Sequence, residues 1–386
     1  MSRNLAAAVG GAAGAVALVG IVILLIWFCL FHKSSVSRNS ETGSSEPSQV
    51  GRHGGIELTV RDARRFEIEE LFHATKNFSD KNLIGEGKFG EVYRGLLHDG
   101  MLVAIKKRHG FPSQEFVDEV HFLSSFQHRN LVTLLGYCQE NNLQFLIYEY
   151  VPNGSVSSHL YGAAQQSRDK LEFKHRLSIA LGAAKGLAHL HSLSPRLVHK
   201  DFKTANVLVD ENFIPKVADA GLRNILGRVE IAGPSSQAAA DEIFLAPVYI
   251  SLDLVREFRT YSEKSDVYSF GVFLLELLSG REATESPSSD SNQNLVEWVQ
   301  SKQDPGIMSG IVDERMGSNY TAEAMEEFMS LIVPCIDSSS ERRPAMSYVM
   351  MEIDRIREKE RNLTTVMGER TPIVTLGSQL FEAKKE

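Results

Sequence analysis

Cysteine is scarce in this chain of 386 residues: Cys29, Cys138 and Cys335 are all it has, and no two share a zinc-site or disulfide-framework spacing. A reducing compartment for the main body follows. Positive charge is not in excess either. Lys and Arg number 41 against 49 Asp and Glu, the net charge is −8, and no basic stripe appears. That excludes the nucleic-acid-binding class. Long apolar runs are missing too, with one exception at the N-terminal end.

The exception is Leu5 to Phe31, which carries no charge and includes Ile21-Val22-Ile23-Leu24-Leu25-Ile26-Trp27-Phe28. It is too long for a signal-peptide core, and no small-residue cleavage site follows it. The length predicts a transmembrane helix over 5–31, with Trp27 as an interfacial anchor. Arg3 precedes the run, whereas His32, Lys33, Arg38 and Arg52 follow it. The positive-inside rule then puts most of the chain in the cytosol and leaves 1–4 as an extracellular stub. The natural address is the plasma membrane, spanned once. Gly10-Gly11-Ala12-Ala13-Gly14 offers a small-xxx-small face for a homodimer, although glycine is common in membrane helices generally. Residues 32–65 read as a polar juxtamembrane linker, and 357–386 as a flexible tail with Thr364, Thr365, Thr371 and Thr375 as candidate phosphosites.

The densest chemistry lies in Val198-His199-Lys200-Asp201-Phe202-Lys203-Thr204-Ala205-Asn206 and its continuation to Asp219-Ala220-Gly221. Val207-Leu208-Val209 and Pro215-Lys216-Val217 flank a turn at Asp210-Glu211-Asn212, which predicts a short hairpin returning Asp219 beside Asn206. An Asp and an Asn together supply the hard oxygens Mg²⁺ prefers. Asp201 with Lys203 suits a base that orients a hydroxyl while a cation steadies moving charge. The competing reading is that Asp and Asn are ordinary turn formers.

Earlier comes Leu83-Ile84-Gly85-Glu86-Gly87-Lys88-Phe89-Gly90-Glu91-Val92-Tyr93. In a dinucleotide fold a helix follows such glycines. Here an alternating strand follows, then a two-residue hairpin turn at Asp99-Gly100 and a second strand ending at Lys106. The glycines therefore join antiparallel strands and let backbone N–H groups approach phosphates. Phe116 to Leu123 is helical, with Glu119 placed to reach Lys106. Leu131–Tyr137 and Gln144–Tyr150 predict two more strands around Asn141-Asn142.

GEGKFGEV, VAIK, HKDFKTAN and DAG, in this order, resemble a protein kinase. FEIEELFHATKNFSDKNLIGEGKFGEVYRG, FQHRNLVTLLGYC, FLIYEYVPNGSVSSHLYG and EKSDVYSFGVFLLELLSG resemble the plant receptor-like, Pelle-related serine/threonine branch. The resemblance implies an α+β bilobal kinase domain over 66–356 behind the transmembrane helix. Its antiparallel N-lobe would cover 66–150 and its mainly helical C-lobe 151–356. It implies ATP with Mg²⁺ or Mn²⁺ as cofactors. Ile84, Gly85, Glu86, Gly87 and Gly90 would cover the nucleotide, and Val92 and Ala104 would flank the adenine. Lys106 would hold the α- and β-phosphates and pair with Glu119. Tyr148 would back the pocket, with Glu149 and Val151 in the hinge. Asp201 would be the base, Lys203 would steady the γ-phosphate, and Asn206 and Asp219 would hold the metal. Asp266 would accept hydrogen bonds from the catalytic-loop backbone. Implied partners are a protein substrate and a co-receptor or second kinase at the membrane.

Four positions depart from the family pattern. Lys200 replaces an Arg and loses the bidentate fork a phosphorylated activation loop uses. Ala220 replaces a Phe, a loss worth about 3–5 kcal/mol in an otherwise unchanged core. Asp241 stands where a Thr bridges the base and its lysine, and is expected to compete for Lys203. Val248 replaces the Glu that pairs with Arg343, which leaves that arginine expected without its partner. Ser235 and Ser236 are the only hydroxyl side chains between Leu222 and Pro247. The leading reading is an active membrane-anchored kinase. The alternative is a pseudokinase that binds nucleotide and scaffolds an active partner.

Overall fold

Alternation along Leu102–His109 decides the layering of the first lobe. Val103 and Ile105 are fully buried on one face, and Ala104 and Lys106 lie on the other. The computed structural model of the chain describes residues 63–161, 171–222, 224–225, 247–249, 261–286, 293–302, 309–317 and 320–368. The chain divides into Met1–Leu58 and Thr59–Glu386, and all described residues fall in the second unit. The expected membrane span at 5–31 lies outside them. Among the described residues no helix is long and apolar enough to cross a membrane.

The first lobe is a six-stranded sheet made of β1 (Arg64–Arg65), β2 (Leu83–Gly87), β3 (Gly90–Leu96), β4 (Leu102–His109), β5 (Leu134–Glu140) and β6 (Leu143–Glu149). The order is β1-β5-β6-β4-β3-β2. Neighbours run antiparallel except β1, which is parallel to β5. The all-antiparallel expectation therefore fails only at that edge. On one face α1 (Ile68–Thr75) seals Val103, Ile105, Phe145 and Ile147 with its own Ile68 and Leu71. On the other, α2 (Gln114–Ser124) contributes Phe116, Val120 and Leu123. Its N-terminus is capped by Ser113 Oγ, which accepts from the Phe116 N–H at 3.1 Å.

The turns follow their residues in one case and not in another. Asn141 and Asn142 take φ of 53° and 57° between paired Glu140 and Leu143, a two-residue mirror-image turn that suits asparagine. The Asp99-Gly100 hairpin is longer than the expected two residues. Leu96 pairs with Leu102, so residues 97–101 form the loop. The reason is Leu97, which turns inward, is buried, and donates its N–H to Met101 O at 2.9 Å.

The second lobe holds α3 (Val156–Leu160), α4 (Phe173–Ser192), β7 (Val207–Val209), β8 (Pro215–Val217), α5 (Glu263–Ser279), α6 (Leu295–Lys302), α7 (Ala322–Cys335) and α8 (Met346–Gly368). As its all-round apolar pattern predicts, α5 is buried from Asp266 to Ser279. Ser262 and Ser265 form a capping box at its start, and Gly280 ends it at φ 62°. A side chain there would collide with Asp313. The expected tail boundary at 356 is too early, because α8 continues to Gly368. Ile353 and Ile356 face the core, and buried Glu360 accepts from the Thr321 N–H and hydroxyl at 3.0 and 2.6 Å. Thr364 and Thr365 thus lie on α8; Thr371 and Thr375 lie outside the described residues.

Candidate functional site

The glycine-rich segment is a tight hairpin. Gly85 pairs with Val92 and Gly87 with Gly90, which puts Lys88 and Phe89 at the tip. Gly90 adopts φ 136°, and a Cβ there would lie 2.1 Å from Lys107 O, so packing alone requires glycine. Gly85 and Gly87 are different: a Cβ on either would meet no protein atom. Both open onto a cavity of about 530 Å³ between the lobes. Their lack of side chains keeps space clear beside exposed backbone, as a phosphate cradle requires.

That cavity gathers the predicted residues. Ile84, Gly85, Glu86, Gly87, Gly90, Val92, Ala104, Lys106, Tyr148, Glu149, Val151, Asp201, Lys203, Asn206 and Asp219 all line it. Glu119 does not; it is buried on α2. Period-2 pairing explains the roof, since Val92 is opposite Lys106, and Ala104 is opposite Tyr148. The Glu149 carboxylate turns away, accepting from the Thr133 N–H at 2.8 Å and from Lys216 at 2.9 Å.

The floor is set by Asp266 at the start of α5. Its buried carboxylate accepts from the His199 N–H at 2.8 Å, the Lys200 N–H at 3.0 Å and His191 Nε2 at 2.8 Å. These bonds offset the strain of Lys200, held at φ 67°. The backbone role expected for Asp266 is therefore present. His199 Nε2 meets Ala218 O at 2.9 Å, and the Ala218 N–H donates to Asn206 O at 2.8 Å, so the loop before Asp219 is stitched to the loop after Asp201. Asp219 itself sits at φ 65°.

Within this frame Asn206 Nδ2 donates to Asp201 O at 2.8 Å, and Lys203 Nζ lies 3.5 Å from Asp201 Oδ2. Asp201 Oδ1 is buried and has no hydrogen-bond partner among the described residues. Such an oxygen in a cavity wall is poised to accept from an incoming hydroxyl. The Asn206 and Asp219 side-chain oxygens are the hard donors that suit Mg²⁺, so the residues present fit the metal and the triphosphate.

Lys106 differs from expectation. Its ammonium pairs with Asp219 and lies 5.7 Å from the Tyr148 ring centroid; Glu119 is not its partner. Asp219 comes to Lys106 because its left-handed backbone aims the carboxylate into the cavity that Lys106 also faces. Burial first, then the Asp219 charge, push the Tyr148 hydroxyl well above its ordinary pKa, so it stays neutral at the back of the pocket.

Arg343 also corrects the reading. It is not stranded by Val248. Its guanidinium donates to Asp337 O at 2.7 Å, Lys264 O at 3.0 Å and Ser338 O at 3.3 Å, and stacks 5.0 Å over Tyr268. Val248 is buried and apolar, with no carboxylate to offer. The space left by Ala220 has closed to a cavity of about 20 Å³ lined by Leu123, Phe126, Leu131 and Tyr148, room for roughly one water. Lys200 donates to Asn224 Oδ1 at 2.6 Å. Asp241, Ser235 and Ser236 lie outside the described residues.

Sequence reasoning missed Lys88, Val132, Leu208 and Ala218 as pocket residues. The alternation of Val207-Leu208-Val209, with the outer two buried, would have pointed to Leu208. Lys88 carried no signal beyond its place inside the glycine block.

Comparison with known proteins agrees with this geometry. Residues 78–353 match the family described as protein tyrosine and serine/threonine kinase. The receptor-like protein kinase HERK 1 of Arabidopsis thaliana is 34% identical over 97% of this chain and 47% of its own length. The nodulation receptor kinase of Pisum sativum is 35% identical over 91% of this chain and 38% of its length. The chain thus spans about half or less of these relatives. Among solved structures, the pseudokinase domain of BIR2, an immune regulator of the RLK/Pelle family, superposes with a TM-score of 0.63 at 27% identity, covering 82% of this chain and 96% of that one. By fold, pocket and sequence match, the chain belongs to the protein tyrosine and serine/threonine kinase family.

Proposed function

We propose that the chain is a membrane-anchored receptor-like kinase that transfers the terminal phosphoryl group of ATP to serine or threonine hydroxyls of proteins. The observation that carries this is the convergence of Lys106, Asp201, Asn206 and Asp219 on one cavity, with Asp201 Oδ1 buried and awaiting a donor. Phosphoryl transfer needs positioning and charge stabilisation more than covalent help. Backbone N–H groups at Gly85–Gly87 cover the phosphates, and Lys106 holds them from the β4 side. Asp201 orients the acceptor hydroxyl and takes its proton. Lys203, 3.5 Å from Asp201, steadies the charge that develops next to it. Asn206 and Asp219 would hold Mg²⁺, which neutralises phosphate charge when bound. Anchoring through 5–31, a cytosolic kinase domain, pairing of two membrane helices and a co-receptor partner belong to the same proposal; the receptor names of the relatives support the anchoring alone.

The likeness to the BIR2 pseudokinase domain favours one rival, a nucleotide-binding scaffold. One assay separates the two. The full chain is incubated with γ-labelled ATP and Mg²⁺ or Mn²⁺ beside Asp201→Asn and Lys106→Ala. Label transfer that disappears in both variants supports the enzyme. Nucleotide binding without transfer supports the scaffold.

A further inference from the structure

Phe89 and Lys88 share the tip of the glycine hairpin but go opposite ways. Phe89 is 3% exposed, joins the core beside α2, and has the Arg108 guanidinium 4.7 Å over its ring. That anchor fixes the tip, and the flanking Gly87–Gly90 pair leaves it no slack. Lys88 is consequently turned into the cavity, where its ammonium lies 3.7 Å from Asp201 Oδ1. Asp201 then faces two cations on its two oxygens, Lys88 on Oδ1 and Lys203 on Oδ2 at 3.5 Å. Neither is at the 2.7–2.9 Å typical of a charge-assisted hydrogen bond, so Lys88 is near the carboxylate without being locked to it.

The position matters because Asp201 stands where an acceptor hydroxyl meets the phosphoryl group being moved. A cation beside Asp201 is therefore at the terminal-phosphate end, remote from the hinge at Glu149–Val151. A terminal phosphate carries about two charges and three strong acceptor oxygens, and outcompetes a single carboxylate for an ammonium. We propose that Lys88 is a second phosphate-holding cation, which exchanges Asp201 for the terminal phosphate of bound ATP and makes the pocket prefer triphosphate over diphosphate. This rests on the ATP reading above and adds a side-chain contact to a hairpin otherwise offering backbone alone. It also gives the exchange a consequence. While Lys88 faces Asp201, it screens the oxygen that must accept the hydroxyl proton; once drawn to phosphate, it leaves Oδ1 to the substrate.

The test is equilibrium calorimetry on the full chain with Mg²⁺ and either the β,γ-imido analogue of ATP or ADP, so that no turnover intervenes. Lys88→Ala is expected to weaken the triphosphate analogue by about 10-fold and ADP by less than about 2-fold, with Lys88→Arg restoring most of the preference. In a double-mutant cycle with Asp201→Asn, the tighter analogue binding that follows loss of the carboxylate should shrink when Lys88 is absent. Equal losses for both nucleotides, no loss, or an Asp201 effect independent of Lys88 would each overturn the proposal while leaving the pocket a nucleotide site. A wild-type chain that binds neither nucleotide overturns the proposal together with the reading beneath it.

Discussion

Lys106 and Arg343 are both cations withdrawn from solvent, yet they sit in different surroundings. Lys106 reaches into a wide cavity and holds one carboxylate. Arg343 is packed into the second lobe and is bonded to the carbonyls of Asp337, Lys264 and Ser338. The cavity face depends on charge that a ligand will contest, so each residue type there is dictated by chemistry. The brace beneath depends on filling space and satisfying donors, and several residue sets achieve that. The departures from the family pattern at Lys200 and Ala220 fall on residues beside the cavity groups, and that at Val248 on a buried residue, while Lys106, Asp201, Asn206 and Asp219 are unaltered.

The sharpest way to break that contrast is at the cavity face. Asp201→Asn should lower phosphotransfer by about 10²–10⁴-fold with no loss of thermal stability, because it removes a proton acceptor whose Oδ1 has no structural bond to lose. A fall in melting temperature equal to that of a brace variant would merge the two regions. On the brace, Arg343→Ala should destabilise by about 3–5 kcal/mol in urea unfolding, since it opens a large cavity and strands buried carbonyls. A change below about 1 kcal/mol would mean water replaces the guanidinium without penalty.

Between the regions lies Glu276 on α5, fully buried, which accepts from Thr204 in the catalytic loop, from the Ala283 N–H at 2.9 Å and from Tyr161 at 3.3 Å. Burial raises its pKa from 4.5 to about 7, against the lowering pull of the Tyr249 hydroxyl, the Ala283 N–H and the Tyr161 hydroxyl. The folded protein thus binds the proton more tightly than the unfolded chain. This stability is complete below about pH 4.5 and is lost as pH rises through about 7. A shift of that size is worth roughly 3 kcal/mol at 1.36 kcal/mol per unit. Glu276→Gln should therefore flatten the decline in unfolding free energy between pH 5 and pH 8. An unchanged slope would assign it to other groups. The smallest effect is expected at Ala220. With only about 20 Å³ beside it, Ala220→Phe should overpack by about 1–3 kcal/mol and leave transfer unchanged or lower. Raised activity would show that the space reopens during turnover.

Legibility followed the same division. Asn141-Asn142, the glycine hairpin, the α5 burial and the convergence of Asp201, Asn206 and Asp219 could all be read ahead, because local propensity and pocket chemistry agree there. The Lys106–Asp219 pair, the inward turn of Leu97, the carbonyl cage of Arg343 and the extension of α8 past 356 could not. Each depends on which of several neighbours arrives first in space, and spacing along the chain does not encode that.

By itself the sequence determined the order of elements, the two-lobed kinase fold and the group of residues able to handle a phosphorylated nucleotide and its metal. The order of elements follows from periodicity and turn chemistry, which are local properties; the kinase fold and the nucleotide and metal residues follow from the resemblance carried by the motifs. Only the tertiary structure decided that Lys88 faces Asp201, that Ala220 leaves almost no void, and that Arg343 is held by the carbonyls of Asp337, Lys264 and Ser338. Those follow from packing between segments far apart in the chain, where a contact exists only after the whole lobe has closed around it.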